Sequence, residues 1–160
     1  MRTVLSAILA LLMFPVLAPA QTVGEVSCDK GVDITRVQAL VKRTVEALKK
    51  DPATVIREIN AGDKKWKDGD YYMIVLQGTK ILAHGYIPTA IGLDAGHPPY
   101  DRVYPTIKTM NQLVAQKGEG CVRYDFMNPA KNGTYEHKVT YAKKVSDTMF
   151  AASGTYLVRE

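Results

Sequence analysis

The first strong regularity in the chain is an apolar stripe at intervals of three and four, Ile34, Val37, Val41, Val45 and Leu48, with Arg36, Lys42, Arg43, Lys49 and Lys50 between. That spacing predicts an amphipathic helix of about four turns. Asp33 or Thr35 caps it, and Asp51-Pro52 stops it, because proline cannot continue a helix. Pro52 suits the first turn of a second, shorter helix carrying Val55, Ile56 and Ile59 and ending at Asn60-Ala61-Gly62. The period then shortens. A turn at Asp68-Gly69-Asp70 leads into a strand over 71–76, apolar on both faces. Gln77-Gly78-Thr79 reverses the chain into a strand over 80–84, so the pair reads as a hairpin.

Residues 85–105 contain Pro88, Gly92, Gly96, Pro98, Pro99 and Pro105 and read as a long, ordered loop. Tyr86, Ile87, Ile91, Leu93, Tyr100 and Tyr104 call for burial there, and loops of this length are commonly lids or binding loops. A third helix is predicted over 106–116, with Ile107, Met110, Leu113 and Val114 inward, broken at Lys117-Gly118-Glu119-Gly120. Three strands finish the chain, over 121–126, 137–145 and 149–156. In the second of them Val139 and Tyr141 share one face, and Lys138, Thr140 and Lys144 the other. Strands joined by hairpins and flanked by helices make an α+β fold with an antiparallel sheet.

Composition narrows the picture. At 160 residues, 46% hydrophobic and 23% charged, the chain fits one compact domain and leaves no room for a kinase or methyl-accepting region. The net charge of +5 is spread along the chain, with no Lys/Arg stripe interleaved with aromatics, so nucleic acid is not an expected partner. Arg2, the apolar stretch from Val4 to Leu17, and Ala18-Pro19-Ala20 form the pattern of a secretory signal peptide cleaved after Ala20. The rival reading is an uncleaved anchor, but the apolar run is shorter than the roughly 20 residues a spanning helix needs. The expected organisation is a leader over 1–20 and a single domain over 21–160, periplasmic or secreted. Cys28 lies too far beyond the apolar stretch for a lipid anchor.

Export permits a disulfide between Cys28 and Cys121. The alternative is a buried Cys121 and a surface Cys28 thiol, since spacing alone does not place the two Cα atoms within reach. No Cys-x-x-Cys occurs, so neither a thioredoxin-like redox site nor covalent haem is expected. No metal-ligand spacing links His84, His97 and His137, and no cofactor is called for.

Several segments, in order, resemble the single Cache domain family, the PAS-like extracellular sensor modules of bacterial chemoreceptors and histidine kinases. They are Trp66-Lys67-Asp68-Gly69-Asp70-Tyr71-Tyr72, Gly78-Thr79-Lys80-Ile81-Leu82-Ala83-His84, Ile91-Gly92 and Lys117-Gly118-Glu119-Gly120. Tyr124-Asp125-Phe126-Met127-Asn128-Pro129, His137-Lys138-Val139-Thr140-Tyr141 and Gly154-Thr155-Tyr156 continue the series. The chain differs from the family pattern at Phe126, where a Trp is common, and at Gly96-His97-Pro98-Pro99-Tyr100-Asp101, which replaces an Asp-x-x-Gly turn. The resemblance implies a long N-terminal helix on a five- or six-stranded antiparallel sheet, with a shorter helix over the loop region. It also implies a small pocket between sheet and loop, and receptors of this kind often take short carboxylates.

A carboxylate wants a cation and neutral hydroxyl donors in a largely apolar cavity. Tyr72, Tyr124 and Tyr141 offer hydroxyls, Arg123, Lys138 or His84 a charge, and Tyr86 lies where the family has a loop residue over the pocket. Strand alternation allows only one of Arg123 and Tyr124, and only one of Lys138 and Tyr141, to reach a given face. Each has an ordinary structural counterpart: core tyrosines, a strand-end histidine, an Arg123–Asp125 pair, a solvated lysine. The expected function is a periplasmic binding module for a small, anionic metabolite, working with a separate membrane receptor or histidine kinase because no transducing segment follows Glu160. The alternative is a ligand-free interaction or homodimerisation module that docks its sheet or long helix on a receptor or kinase. Asp94, His97 and Asp101 are the acid–base groups of the loop, but nothing pairs them with a nucleophile, so an enzyme is not expected.

Overall fold

Residues 23–28, 33–98, 103–128 and 131–157 are described in a computed structural model. The expected leader and its cleavage after Ala20, and Tyr100 and Asp101 of the long loop, lie outside the described residues. The described residues begin with strand β1 (Gly24–Val26), then helices α1 (Thr35–Lys50) and α2 (Pro52–Asn60). Four strands follow: β2 (Lys67–Asp68), β3 (Tyr71–Tyr72), β4 (Ile74–Gln77) and β5 (Lys80–His84). Helix α3 (Tyr104–Lys117) leads to the closing meander of β6 (Glu119–Asn128), β7 (Thr134–Lys144) and β8 (Met149–Tyr156). Six strands form one antiparallel sheet in the order β1-β6-β7-β8-β4-β5, and β2 and β3 make a separate ribbon.

The sheet has a core on each face. On one, Val37, Leu40, Val41, Val45 and Leu48 of α1 pack with Val75, Ala83, Cys121, Val139, Tyr141 and Ala151. On the other, Ile107, Met110, Leu113 and Val114 of α3 pack with Val122, Ala142, Phe150 and Ala152. The α1 stripe is therefore spent on the domain's own sheet. Proline starts α2 as predicted, and Asp51 caps it by accepting from the Thr54 N–H at 3.0 Å.

Three expectations change. The predicted strand over 71–76 is broken at Met73: the Tyr72 carbonyl accepts from Ser153 Oγ at 2.8 Å and the Met73 carbonyl from the Gly85 N–H at 2.8 Å. Those bonds turn Tyr71–Tyr72 out of the main sheet to pair with Lys67–Asp68. The arm before α1 gains strand β1, too short for any periodicity to show. Its Val26 lies opposite Cys121, and Cys28 and Cys121 are disulfide-bonded with Cα atoms 5.3 Å apart. In the long loop, Tyr86 and Tyr104 are exposed rather than buried, and the small residues Ala90 and Ala95 go inward. The loop backbone instead covers the free edge of β5, with Gly92 N–H to Ile81 O at 2.8 Å and Ile81 N–H to Leu93 O at 2.9 Å, the usual remedy for an open sheet edge.

Candidate functional site

Between the α3 face of the sheet, the first turns of α3 and the loop after β5 lies a cavity of about 350 Å³. Ile74, Leu76, Ile81, Ile107, Met110 and Phe126 give it an apolar wall, and Tyr72, His84, Tyr124 and Lys138 bring polar atoms into it. Strand register explains the convergence. Lys138 of β7 sits opposite Tyr124 of β6 and Tyr156 of β8, so the three side chains share one face.

Lys138 is the unusual member. The sequence offers it as a pocket cation, with a solvated lysine as the ordinary counterpart; the structure leaves it 4% exposed. Its Nζ donates to the Tyr72 hydroxyl at 3.0 Å and lies 4.8, 5.2 and 4.9 Å from the ring centroids of Tyr72, Phe126 and Tyr156. Ring faces replace part of its lost hydration. Among the described residues no carboxylate pairs with it, and burial pushes its pKa down to about 7. Thr140, its neighbour on the same face, is also buried and bonds the Tyr124 hydroxyl at 3.0 Å. Burial pushes that phenol up to about 12. Gly154 makes the room: a Cβ there would stand 2.3 Å from Thr140 Oγ1, 2.7 Å from the Val139 carbonyl and 2.9 Å from Lys138 Cε.

His84 ends β5 with its ring 5.2 Å from that of Tyr72. Its Nδ1 accepts the backbone N–H groups of Tyr86 at 3.2 Å and Ile87 at 2.9 Å. An acceptor at Nδ1 assigns the ring proton to Nε2, so His84 is a neutral donor. Burial first, and then the Lys138 charge, lower its pKa to about 4. Tyr72 uses its oxygen to accept from Lys138, which leaves its own proton for a cavity acceptor or for the neighbouring Tyr156 hydroxyl. Burial holds the Tyr72 phenol well above the usual tyrosine range.

Four of the seven predicted residues, Tyr72, His84, Tyr124 and Lys138, thus meet in one cavity. Tyr86 lies outside it, half exposed at 51%, with its ring 5.5 Å from that of Tyr72. Arg123 and Tyr141 point to the opposite face, as alternation requires once Tyr124 and Lys138 point inward. Arg123 is exposed there, and Tyr141 is packed in the α1 core beside Glu119. Asp125 bonds His137, its cross-strand partner. Sequence reasoning missed the cage residues Phe126 and Tyr156 and the hydroxyls of Thr106 and Thr140. Thr140 was within reach of it, because Lys138 and Thr140 are two apart on one strand.

A second concavity of about 460 Å³ lies beyond the Tyr72–Gly154 wall and is lined by Lys67, Asp70, Lys131 and Glu136 among others. Its buried Glu136 already accepts from Lys131 at 2.7 Å and from Asn128 at 2.6 Å, so its charge is compensated where that of Lys138 is not. Among the described residues no group of three or more His, Cys, Asp or Glu is placed to hold a metal, and no helix is long and apolar enough to cross a membrane.

A family model described as Single Cache domain 2 matches residues 33–148. Among solved structures, the chain is similar to one described as the structural basis for carboxylic acid recognition by a Cache chemosensory domain. The TM-score is 0.59 and the identity 17%, over 78% of this chain and 93% of that one. It is also similar to a periplasmic sensor domain of a chemotaxis protein, with TM-score 0.55 and 16% identity over 78% and 90% of the two chains. At these identities the two structures speak for the fold. Among curated proteins none matches the chain significantly.

Proposed function

The chain belongs to the single Cache domain family, and from that premise we propose that it is a periplasmic binding module that senses a small carboxylate in the Lys138 cavity. The observation that carries this reading is a buried ammonium with three aromatic faces, one hydroxyl and no anionic partner among the described residues. Leaving a cation so is costly, and a carboxylate entering the cavity supplies the missing charge. Tyr72 and the His84 Nε2–H are the neutral donors beside it, and the apolar wall takes the alkyl part of a short acid. Cache domains are sensory ligand-binding modules, and the cavity offers donors and a cation rather than a nucleophile with its base. This reading includes export through the leader over 1–20 and relay of the ligand state to a separate membrane receptor or histidine kinase. The solved Cache structure described by its carboxylic acid recognition supports the reading by likeness of fold.

Titration calorimetry with acetate, propionate, lactate and pyruvate tests it. At least one acid is expected to bind, and Lys138→Met to weaken it by on the order of 10- to 100-fold, the worth of one charge-assisted hydrogen bond. Because the anion needs the protonated lysine, affinity is expected to fall above pH 7, by up to tenfold per pH unit. Silence from every acid at pH 6, where Lys138 is charged, ends the proposal.

A further inference from the structure

Resting on the carboxylate reading, we propose that the ligand carries a second oxygen function and that Thr106, in the first turn of α3, recognises it. Thr106 lines the cavity, is 3% exposed, and its hydroxyl has no hydrogen-bond partner among the described residues. Other threonines of this fold are satisfied: Thr44 donates to the Leu40 carbonyl at 2.7 Å, Thr109 to the Pro105 carbonyl at 2.8 Å, and Thr140 bonds Tyr124. A buried hydroxyl left unpaired is unfavourable, and a fold that retains one beside a cavity has a use for it.

The backbone around Thr106 points the same way. Val103 brings no side-chain cap to α3, and Pro105 in its first turn has no N–H to donate. The Ile107 N–H bonds the Val103 carbonyl at 3.0 Å, so helix geometry leaves the Thr106 N–H without an intrahelical acceptor. No acidic side chain occupies this turn, and the positive end of a 14-residue helix favours an oxygen acceptor there.

Position decides what such an acceptor belongs to. Helix α3 runs antiparallel to β6. Near its C-terminal end Leu113 lies against Gly120, where a Cβ would come within 2.8 Å of it. Its first turn therefore lies over the other end of β6, the Tyr124–Phe126 stretch paired with Lys138 and Glu136. The cavity thus has the Lys138, Tyr72 and His84 group on its sheet side and Thr106 on its helix side, with Thr89 and Tyr135 also on its lining. Ile74, Ile107, Met110 and Phe126 between the two sides offer an oxygen nothing. A plain alkanoate satisfies the sheet-side group and leaves Thr106 unpaired. A 2-oxo acid, a 2-hydroxy acid or a short dicarboxylate carries an oxygen for each of them. Sites built to hydrogen-bond an oxygen reject analogues lacking it far more strongly than apolar walls reject an extra methylene.

Matched pairs of acids read the difference by calorimetry: propionate against pyruvate and lactate, butyrate against succinate. In the unmodified protein at least one oxygen-bearing acid is expected to bind about tenfold or more tighter than its alkyl partner. Thr106→Val should reduce that advantage to about twofold or less while leaving the alkanoate's affinity unchanged, and Thr106→Ser should retain it. Equal or tighter binding of the alkanoates overturns this inference alone, and so does a Thr106→Val variant that weakens both members of a pair equally. The wild-type comparison stands even if a variant fails to fold. Failure of every acid to bind removes the carboxylate reading, and this one with it.

Discussion

Lys138 holds a charge where the fold offers it rings instead of a counterion, and that choice has a thermodynamic signature independent of any ligand. Replacing an uncompensated buried charge by an apolar side chain of similar length generally stabilises a fold. Lys138→Met is expected to raise the melting temperature of the ligand-free protein by several degrees, equivalent to about 1–3 kcal/mol, while acid binding weakens. The pH dependence follows from the same group. Between pH 7 and 10.5 the unfolded chain holds a proton that the folded one has shed, so stability from this group rises with pH across that window. A thermal melt series should show the rise in the unmodified protein and its absence in Lys138→Met. His84 acts in the acid range. Its folded value of about 4 lies below 6.5, so its contribution is complete above pH 6.5 and is lost as pH falls toward 4. His84→Asn keeps an acceptor for the Tyr86 and Ile87 N–H groups but cannot titrate. Its unfolding free energy should lose on the order of 2–3 kcal/mol less than that of the unmodified protein between pH 6.5 and 4. An equal loss in both contradicts the assignment.

At the scale of elements, β7 and β8 build the site, and Gly154 is what lets them. Gly154→Ala sets a methyl against the Val139 carbonyl, the Thr140 hydroxyl and the Lys138 stem, and a backbone atom among the three leaves no inexpensive relief. About 1–3 kcal/mol of stability should be lost on denaturant unfolding, together with acid binding, as the Lys138 stem is displaced. A variant as stable as the parent would show that the strands can separate without harm. The helices were legible in the sequence because α1 carries its period and proline stop, and α2 its period and first-turn proline, within one contiguous stretch. The α1 cap was not, since Ile34 rather than Asp33 or Thr35 holds that position, with no side-chain bond. The meander was legible for the same local reason. The break at Met73 and the pairing of β1 were not, since they depend on bonds from Ser153 and Gly85 and on a disulfide to Cys121, all distant along the chain. Alternation showed that Tyr124 and Arg123, and Lys138 and Tyr141, could not share a face. Which face held the cavity was a question of packing, because both faces of this sheet are covered.

For the whole molecule, the two cores divide the work. The α1 side is filled from Val37 to Tyr141, with Cys121 joined to Cys28 at its edge, and serves as the rigid backing of the sheet. The α3 side is left partly open beneath a loop that is fastened to β5 by backbone bonds and carries Tyr86 at 51% exposure. An uncharged acid entering that side would gain apolar contact and neutral hydrogen bonds, whereas an anion also completes the charge of Lys138. The amphipathic face of α1 is buried against its own sheet, so the helix-mediated alternative loses the surface it depended on. The most direct test is a crystal structure of the protein grown with the acid that binds most tightly in calorimetry. Density for a carboxylate within about 3 Å of Lys138 Nζ, between Tyr72 and His84, is the predicted result. An acid held instead in the Lys67–Glu136 groove, with the Lys138 ammonium still facing only its three rings, would contradict it.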